Sequence, residues 1–146
     1  MKNELFSLAG KVVVITGSAG LLGRQHAEAV ASAGGIPVLL DIRAEAVQEL
    51  ADEISSGFDV PASGWAVDIT NEPEIEDNCA AVLARYGHID ALVNNAANNP
   101  KVEGDSAKAF AAGELFSGNL ERGLGRGAYG RFPVRQALRR CYCPQP

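Results

Sequence analysis

Short unbroken apolar runs alternate with helically spaced apolar positions between residues 11 and 93. Residues 11–16 form a β-branched run without polar alternation, which is typical of a strand buried on both faces of a parallel sheet. Runs at 36–40 (followed at once by Asp41), 64–67 and 89–93 predict three further strands. Four short strands in this stretch therefore form the predicted sheet.

The segments between these runs carry apolar residues three and four positions apart, as amphipathic helices do. They predict one helix from residue 21 to about 32, ended by two glycines, and another over 44–55. A third helix is predicted between Asn71, as N-cap with Glu74 at capping-box spacing, and Gly87. The apolar positions are Leu22, Ala27, Val30 and Ala31, then Ala46, Val47, Leu50, Ala51 and Ile54, then the core-facing Ile75, Cys79, Val82, Leu83 and Tyr86. The β-α-β-α-β-α-β order predicts an α/β fold with a parallel sheet and helices on both faces.

This pattern fails after about residue 105, where Gly and Arg alternate without strand or helix periodicity, apart from a possible helix over 106–116. Residues 1–105 hold 6 Lys and Arg against 16 Asp and Glu, net −10, whereas residues 106–146 hold 7 against 2, net +5. We therefore predict an ordered domain over 1–105 and a basic, poorly ordered tail over 106–146.

The overall composition, 47% hydrophobic and 21% charged, is ordinary for a globular protein. No apolar run reaches membrane-spanning length and no signal-peptide pattern begins the chain, so we expect a cytoplasmic protein without a membrane partner. Cys79 fits a buried helical position. Cys141 and Cys143 lack the further ligands of a metal site, and three cysteines do not indicate a disulfide framework. The tail carries no nucleic-acid-binding motif, so we expect no nucleic-acid partner.

A glycine-rich loop joins the first predicted strand to the first predicted helix, which is the context a phosphate-binding loop needs. Its first glycine permits a tight turn, its second lets the backbone approach a pyrophosphate, and its third lets helix and strand pack closely. Free N–H groups at the helix start would then face the phosphates. The candidate cofactor residues here are Gly17, Ser18, Ala19, Gly20, Leu21, Leu22 and Gly23. A plain strand-turn-helix corner is the alternative.

Asp41 ends the second predicted strand, 18 residues after Gly23. An acid at about this separation is placed to hydrogen-bond the adenosine ribose and would repel a 2′-phosphate. We therefore expect NAD as cofactor, with NADP less favoured, although Arg43 lies close enough to soften the preference. Alternatively, Asp41 simply caps the second helix.

Three segments in order resemble the short-chain dehydrogenase/reductase family: the glycine loop, Asp68-Ile69-Thr70 after the third strand, and residues 90–97. The resemblance covers roughly residues 6–99 and implies half of a Rossmann-type sheet in the order 3-2-1-4. It also implies that Asp68 and Ile69 border the adenine, that Asn94 and Ala96 support the central strand and line the cofactor crevice, and that Asp90 is structural. Full-length relatives are expected to be homo-oligomers.

Two departures from the family bear on function. The glycines are spaced Gly-x-x-Gly-x-x-Gly, as in the branch of the family that acts on nucleotide sugars, whereas Asn94-Asn95-Ala96 favours the main branch. The catalytic Tyr-x-x-x-Lys pair is missing, because Asp90, Pro133 and Pro146 follow the three tyrosines at that spacing. His26 and His88 are expected to be surface or turn residues. We name no catalytic residue.

The resemblance implies hydride transfer between a nicotinamide and a hydroxyl or carbonyl group of an unidentified small molecule. A nucleotide-binding module without catalysis, an inert gene fragment and a nucleotide-sugar epimerase or dehydratase relative remain alternatives. The charge reversal and the missing pair lead to the hypothesis of a truncated or frame-shifted dehydrogenase gene, with a genuine short protein as the rival. The run at 89–93 would then be an apolar sheet edge that favours aggregation.

Overall fold

The computed structural model describes residues 6–96 and 140–142. Seven elements follow in order: β1 Val12–Thr16, α1 Leu21–Ser32, β2 Ile36–Asp41, α2 Ala44–Phe58, β3 Ser63–Ala66, α3 Glu72–Tyr86 and β4 Ala91–Val93. The predicted alternation is confirmed. Helix α2 runs past residue 55 to Phe58 and ends where Asp59 takes a left-handed conformation, with φ +55°. The fourth strand begins at Ala91 rather than at Ile89.

The four strands form a parallel sheet in the order β3-β2-β1-β4, as predicted. Central strand β1 is buried along its whole length, which explains its unbroken apolar sequence. It pairs with β2 through Val12 opposite Ile36 and with β4 through Val13 opposite Ala91. Within the described residues, β4 therefore forms one edge of the sheet and β3 the other.

Successive residues of the inner strands point to opposite sides of the sheet and create two cores. We call the first the α1–α2 face, because Val13, Ile15 and Leu39 pack there against α1 and α2. We call the second the α3 face, because Val12, Val14, Val38 and Leu40 pack there against α3. The sequence thus produces a three-layer arrangement of helices, sheet and helix.

Three side-chain expectations differ from the structure. Leu22 and Leu83 were counted among the apolar helix positions, but they are 64% and 42% exposed. Asn71 is the N-cap of α3 but makes no side-chain cap hydrogen bond. Its Nδ2 donates to Glu74 Oε1 instead, because the other carboxylate oxygen of Glu74 reaches back to the Asp68 N–H.

Three helix or strand ends follow the expected chemistry. Gly34 and Gly87 adopt positive φ after α1 and α3, which glycine does without steric cost. Proline is tolerated at the start of β2, where Pro37 lies level with Val13 of β1. None of the helices in residues 6–96 and 140–142 has the length and apolarity needed to cross a bilayer.

Candidate functional site

All the candidate cofactor residues lie along the carboxyl-terminal edge of the sheet, where the parallel strands end, because each residue follows or ends a strand. The glycine loop follows β1, Asp41 is the last residue of β2, Asp68 and Ile69 follow β3, and Asn94 and Ala96 follow β4. Crevices at the carboxyl ends of such strands are where open α/β sheets bind ligands. The structure thus brings together at one edge the groups that the sequence singled out separately.

The glycine loop is packed so closely that two of its glycines have no room for a side chain. Gly17 has φ +62°, and a Cβ there would lie 2.8 Å from Ala96 Cα. A Cβ on Gly23 would lie 2.6 Å from Ser18 Cα, so this glycine allows α1 to pack against the loop. Gly20 is less restricted, since a Cβ there would meet only the Gly17 carbonyl, at 3.3 Å.

The Asp41 side chain is held directly against the glycine loop. Its Oδ2 accepts a hydrogen bond of 3.0 Å from the Ala19 N–H, and Ser18 Oγ donates to the Leu40 carbonyl at 3.2 Å. Its Oδ1 accepts from both the backbone N–H and Nε of Arg43, each at 3.1 Å. The N-cap of α2 is Arg43, without a side-chain cap hydrogen bond. Asp41 is therefore not the helix cap, and its carboxylate links β2 to the loop.

A hydrogen-bond cluster around Thr16 joins the glycine loop to the segment after β4. Thr16 Oγ1 accepts from the backbone N–H groups of Asn95 and Ala96 at 3.1 and 3.0 Å and donates to Asn94 Oδ1 at 3.3 Å. Asn95 Nδ2 donates to the carbonyls of Thr16 and Gly17, both at 3.1 Å. The loop shape therefore depends on Thr16 and Asn95, neither of which was a candidate site residue.

A signal for Thr16 and Asn95 was present in the sequence. Strands β1 and β4 were predicted neighbours in a parallel sheet, and the structure pairs Ile15 with Val93. The next residues, Thr16 and the Asn94–Asn95 pair, must then lie at the same level. A hydroxyl and an amide facing each other at a strand end are expected to bond.

The Asp68 carboxylate is engaged locally. Its Oδ1 accepts from the N–H and the hydroxyl of Thr70, at 2.8 and 2.7 Å, and these bonds lower the Asp68 pKa. Ile69 is partly buried and packs against the core of the α3 face. Both residues border the same edge as Asp41, because the Val67 N–H donates to the Asp41 carbonyl.

The first turn of α1 leaves backbone donors without partners in the helix. The α1 hydrogen-bond ladder begins with the Arg24 N–H donating to the Gly20 carbonyl at 3.0 Å. The N–H groups of Leu21, Leu22 and Gly23 precede it, as at any helix start. Leu21 is 84% exposed, and Ile42, directly after Asp41, is 72% exposed. Apolar side chains thus flank the polar groups of this edge.

The remaining polar candidates lie elsewhere. Asp90 accepts from Lys11 Nζ at 2.9 Å and from the Val12 N–H at 2.8 Å, which fits a structural role, and these bonds lower its pKa. His88 is exposed and contacts Asp90 and the Gly10 carbonyl, whereas His26 is exposed on α1. Within residues 6–96 and 140–142, no three or more His, Cys, Asp or Glu are grouped for a metal.

Two of the three tyrosines fall in the described residues, and both belong to the α3 face. Tyr86 lies at the end of α3 that leads into the amino end of β4, away from the glycine loop. Tyr142 is fully buried against α3, and this burial raises the pKa of its hydroxyl above the ordinary range. Tyr129 and the possible helix over 106–116 fall within residues 97–139, which lie outside the described residues.

Comparisons with known proteins agree with this geometry. A family model described as short chain dehydrogenase matches residues 11–120 and so extends past residue 105, where the apolar pattern ends. A sorbitol dehydrogenase from Cereibacter sphaeroides is 42% identical over 90 residues, which are 62% of this chain and 34% of that protein. The chain thus spans about a third of the length of such curated relatives.

Solved structures show the same sheet. A xylitol dehydrogenase with bound NAD+ superposes with a TM-score of 0.59 at 31% identity, over 61% of this chain and 34% of that one. An L-sorbose reductase from Gluconobacter frateurii, complexed with NADPH and L-sorbose, gives 0.68 at 27% identity, over 95% and 48%. With a family model that matches most of its length and a sheet shared with these structures, the chain belongs to the short-chain dehydrogenase family.

Proposed function

We propose that this chain binds a nicotinamide dinucleotide, with NAD preferred, as the cofactor half of an oxidoreductase. The observation that carries the proposal is the 3.0 Å hydrogen bond between the Ala19 N–H and Asp41 Oδ2. It sets a carboxylate that is only 7% exposed directly beside a glycine loop at the carboxyl end of a parallel sheet. A glycine loop with an acid beside it is the arrangement with which Rossmann-type folds bind the pyrophosphate and ribose of a dinucleotide.

The glycine loop fits the pyrophosphate of such a cofactor. The free N–H groups at the start of α1 and the positive end of its dipole favour an anion. Gly20 leaves its backbone open to close approach, and Gly17 and Gly23 give the loop its shape. Ser18, Ala19, Leu21 and Leu22 complete the binding loop in this proposal.

Asp41 would bind the adenosine ribose hydroxyls and so favour NAD over NADP. Its carboxylate would repel a 2′-phosphate, but Arg43 already pairs with it at 3.1 Å. The exposed guanidinium of Arg43 offsets part of this repulsion. We therefore propose a measurable but modest preference for NAD; the xylitol dehydrogenase structure holds NAD+ and the L-sorbose reductase structure holds NADPH.

The other site residues would complete the cofactor cleft. Asp68 and Ile69 would border the adenine, because they follow β3, which lies next to β2 and therefore next to Asp41 at its end. Asn94 and Ala96 would line the crevice on the other side of the glycine loop. Asn95 and Thr16 are positioning residues in this scheme, since their hydrogen bonds hold the loop rather than a ligand.

The proposed reaction class is hydride transfer to or from a hydroxyl or carbonyl group of a small molecule. When bound, the nicotinamide supplies the hydride acceptor or donor. Relatives in this family use a Tyr-x-x-x-Lys pair for the proton, and no such pair occurs in these 146 residues. The chain by itself is therefore proposed to bind cofactor without turning over substrate.

Fluorescence titration of NADH into the purified chain tests this proposal. We expect saturable binding and no oxidation of a polyol such as sorbitol. Gly20→Ala should weaken binding about tenfold, because the new methyl group stands where close backbone approach is needed. Gly57→Ala is the matched control, since a Cβ there touches nothing within 4 Å, and it should bind like the parent chain.

Two results would contradict the proposal. Absence of saturable binding by a folded chain would refute dinucleotide binding, and sorbitol-dependent NADH production would refute the missing-catalysis part. Asp41→Ser then tests the cofactor preference: the ratio of NADPH to NADH affinity should rise about tenfold. An unchanged ratio would mean that Asp41 does not contact the ribose.

A further inference from the structure

A short segment near the carboxyl end of the chain, Arg140–Tyr142, docks along α3. Arg140 Nη2 pairs with Glu72 Oε1 at 2.6 Å. The buried Tyr142 hydroxyl lies 2.6 Å from Asn78 Oδ1 and 3.3 Å from the Ile75 carbonyl. These contacts run from Glu72 to Asn78, more than a full turn of α3, so they fix both the location and the direction of the segment on the helix.

Two thiols meet at this junction. Cys79 Sγ donates to the Cys141 carbonyl at 3.0 Å, and the Cys141 side chain packs against the same core that contains Cys79. Cys79 is 6% exposed, whereas Cys141 is partly exposed, and both are free thiols. One thiol is therefore sheltered and its neighbour is open to small reagents.

We propose that Cys79 and Cys141 form a redox modification site, at which a low-molecular-weight disulfide such as oxidised glutathione generates an intramolecular disulfide. The three cysteines of the sequence gave no reason to expect this pair, since residues 80–140 lie between them. The docking of Tyr142 and Arg140 supplies the proximity that the sequence does not reveal.

The reaction proceeds by two thiol–disulfide exchanges. The thiolate of Cys141, having lost its proton to solvent, attacks the oxidant, forms a mixed disulfide and releases one glutathione thiol. The Cys79 sulfur then loses its proton, attacks the Cys141 sulfur of that mixed disulfide and releases the second glutathione thiol. Two protein thiols thus lose two electrons and two protons, and one oxidised glutathione becomes two reduced molecules.

The environments of the two thiols set the order of these steps. Burial, together with the adjacent Cys141 side chain, raises the pKa of Cys79 to about 12. A thiolate is the attacking species, so Cys79 is a poor first nucleophile, and the more exposed Cys141 reacts first. The closing step is slow but intramolecular, and the product bond lies against the core of the α3 face.

Disulfide mapping of the wild-type chain tests the proposal directly. The folded protein is incubated with oxidised glutathione, remaining thiols are alkylated, and the digest is examined by mass spectrometry. We expect a linked peptide pair containing Cys79 and Cys141, with loss of two hydrogen atoms from the intact mass. The crosslink should raise the thermal midpoint by roughly 10 °C, because it closes a long loop.

Controls separate this pairing from chance pairing. C143S should give the same link in the same yield, and C141S should give none. In guanidinium, where docking is lost, the Cys79–Cys141 share should fall below its share in the folded chain. The proposal is overturned if folded protein retains glutathione on Cys141 while Cys79 stays reduced. It is equally overturned if the Cys141–Cys143 link predominates or if the folded and denatured shares are equal.

Discussion

The two faces of the sheet are built from different distances along the chain. The α1–α2 face draws its buried residues from positions between Val13 and Ile54. The α3 face combines strand residues and α3 with Tyr142, which lies more than fifty residues after Ile89. One core is therefore local in sequence, whereas the other needs a distant segment to complete it.

This difference has an energetic meaning. Closing a long loop costs more chain entropy than closing a short one, although the cost grows only slowly with length. Contacts made by Tyr142 must offset that cost, and they do so through a buried aromatic ring and a hydrogen-bonded hydroxyl. The α3 face is thus expected to open before the α1–α2 face when the chain is destabilised.

The largest change in stability is expected when one core residue of each face is truncated. Tyr142→Ala should destabilise the chain by about 3–5 kcal/mol and Leu50→Ala by about 2–5 kcal/mol, because both remove a buried side chain. Urea denaturation followed by circular dichroism measures both. If Tyr142→Ala costs less than about 1 kcal/mol while Leu50→Ala costs its full amount, the α3 face does not depend on the distant segment.

A smaller effect is expected where α1 meets the glycine loop. Gly23→Ala places a methyl group 2.6 Å from Ser18 Cα and should cost about 2–3 kcal/mol in unfolding free energy. Gly57→Ala has open space and should instead stabilise by about 0.5–1 kcal/mol through its better helix propensity. Thermal unfolding of both variants decides the matter. Equal effects would show that the close packing at Gly23 is unimportant.

Asp90 offers a pH-dependent test at the junction of the α3 face with β1. Hydrogen bonds from Lys11 and the Val12 N–H hold its pKa below the usual 3.8. The contribution of the Asp90 carboxylate to the free energy of unfolding is therefore complete above pH 3.8 and is lost as the pH falls through the lowered pKa. Asp90→Asn should cost about 1 kcal/mol at pH 7, a loss that shrinks below pH 4. A cost independent of pH would contradict an ionic role.

The smallest effect concerns Leu83, which the apolar pattern assigned to the core of the α3 face. It is 42% exposed, so Leu83→Gln should change the unfolding free energy by less than about 1 kcal/mol. Its fully buried neighbour Val82 provides the contrast, because Val82→Ala removes packed methyl groups and should cost about 2 kcal/mol. Chemical denaturation of the two variants checks whether the core of the α3 face includes Val82 and excludes Leu83.

The same contrast explains how far sequence reasoning reached. Runs such as residues 11–16 predicted the strands, because burial on both faces of a parallel sheet leaves a continuous apolar signature. The order of the strands in the sheet came instead from the family resemblance. The candidate site residues could be placed at one edge because each ends or follows a strand. Periodicity does not reveal a pairing between distant segments, so the docking of Tyr142 on α3 was not expected. The bond between Asn95 and Thr16 could have been inferred from the neighbouring strands β1 and β4, although neither residue was named as a candidate.

Leu22 and Leu83 show a second limit. Helical spacing identifies an apolar stripe but not how much of it the sheet covers, and Leu22, in the first turn of α1, is 64% exposed. Likewise, Asp41 was recognised by its separation from Gly23. Its pairing with Arg43 depends on side-chain geometry at the start of α2, which spacing alone does not specify.

The close approach of Gly17 to Ala96 couples the conformation of the glycine loop to the position of strand β4. Hydrogen bonds from Asn95 and Ala96 to Thr16 join the residues after β4 to the end of β1, directly beyond the pairing of Ile15 with Val93. By thermodynamic linkage, a molecule that binds this loop only while β4 is paired with β1 also lowers the population in which β4 is detached. The exchange rates of the amide hydrogens of residues 91–96 would then report whether a molecule occupies the glycine loop.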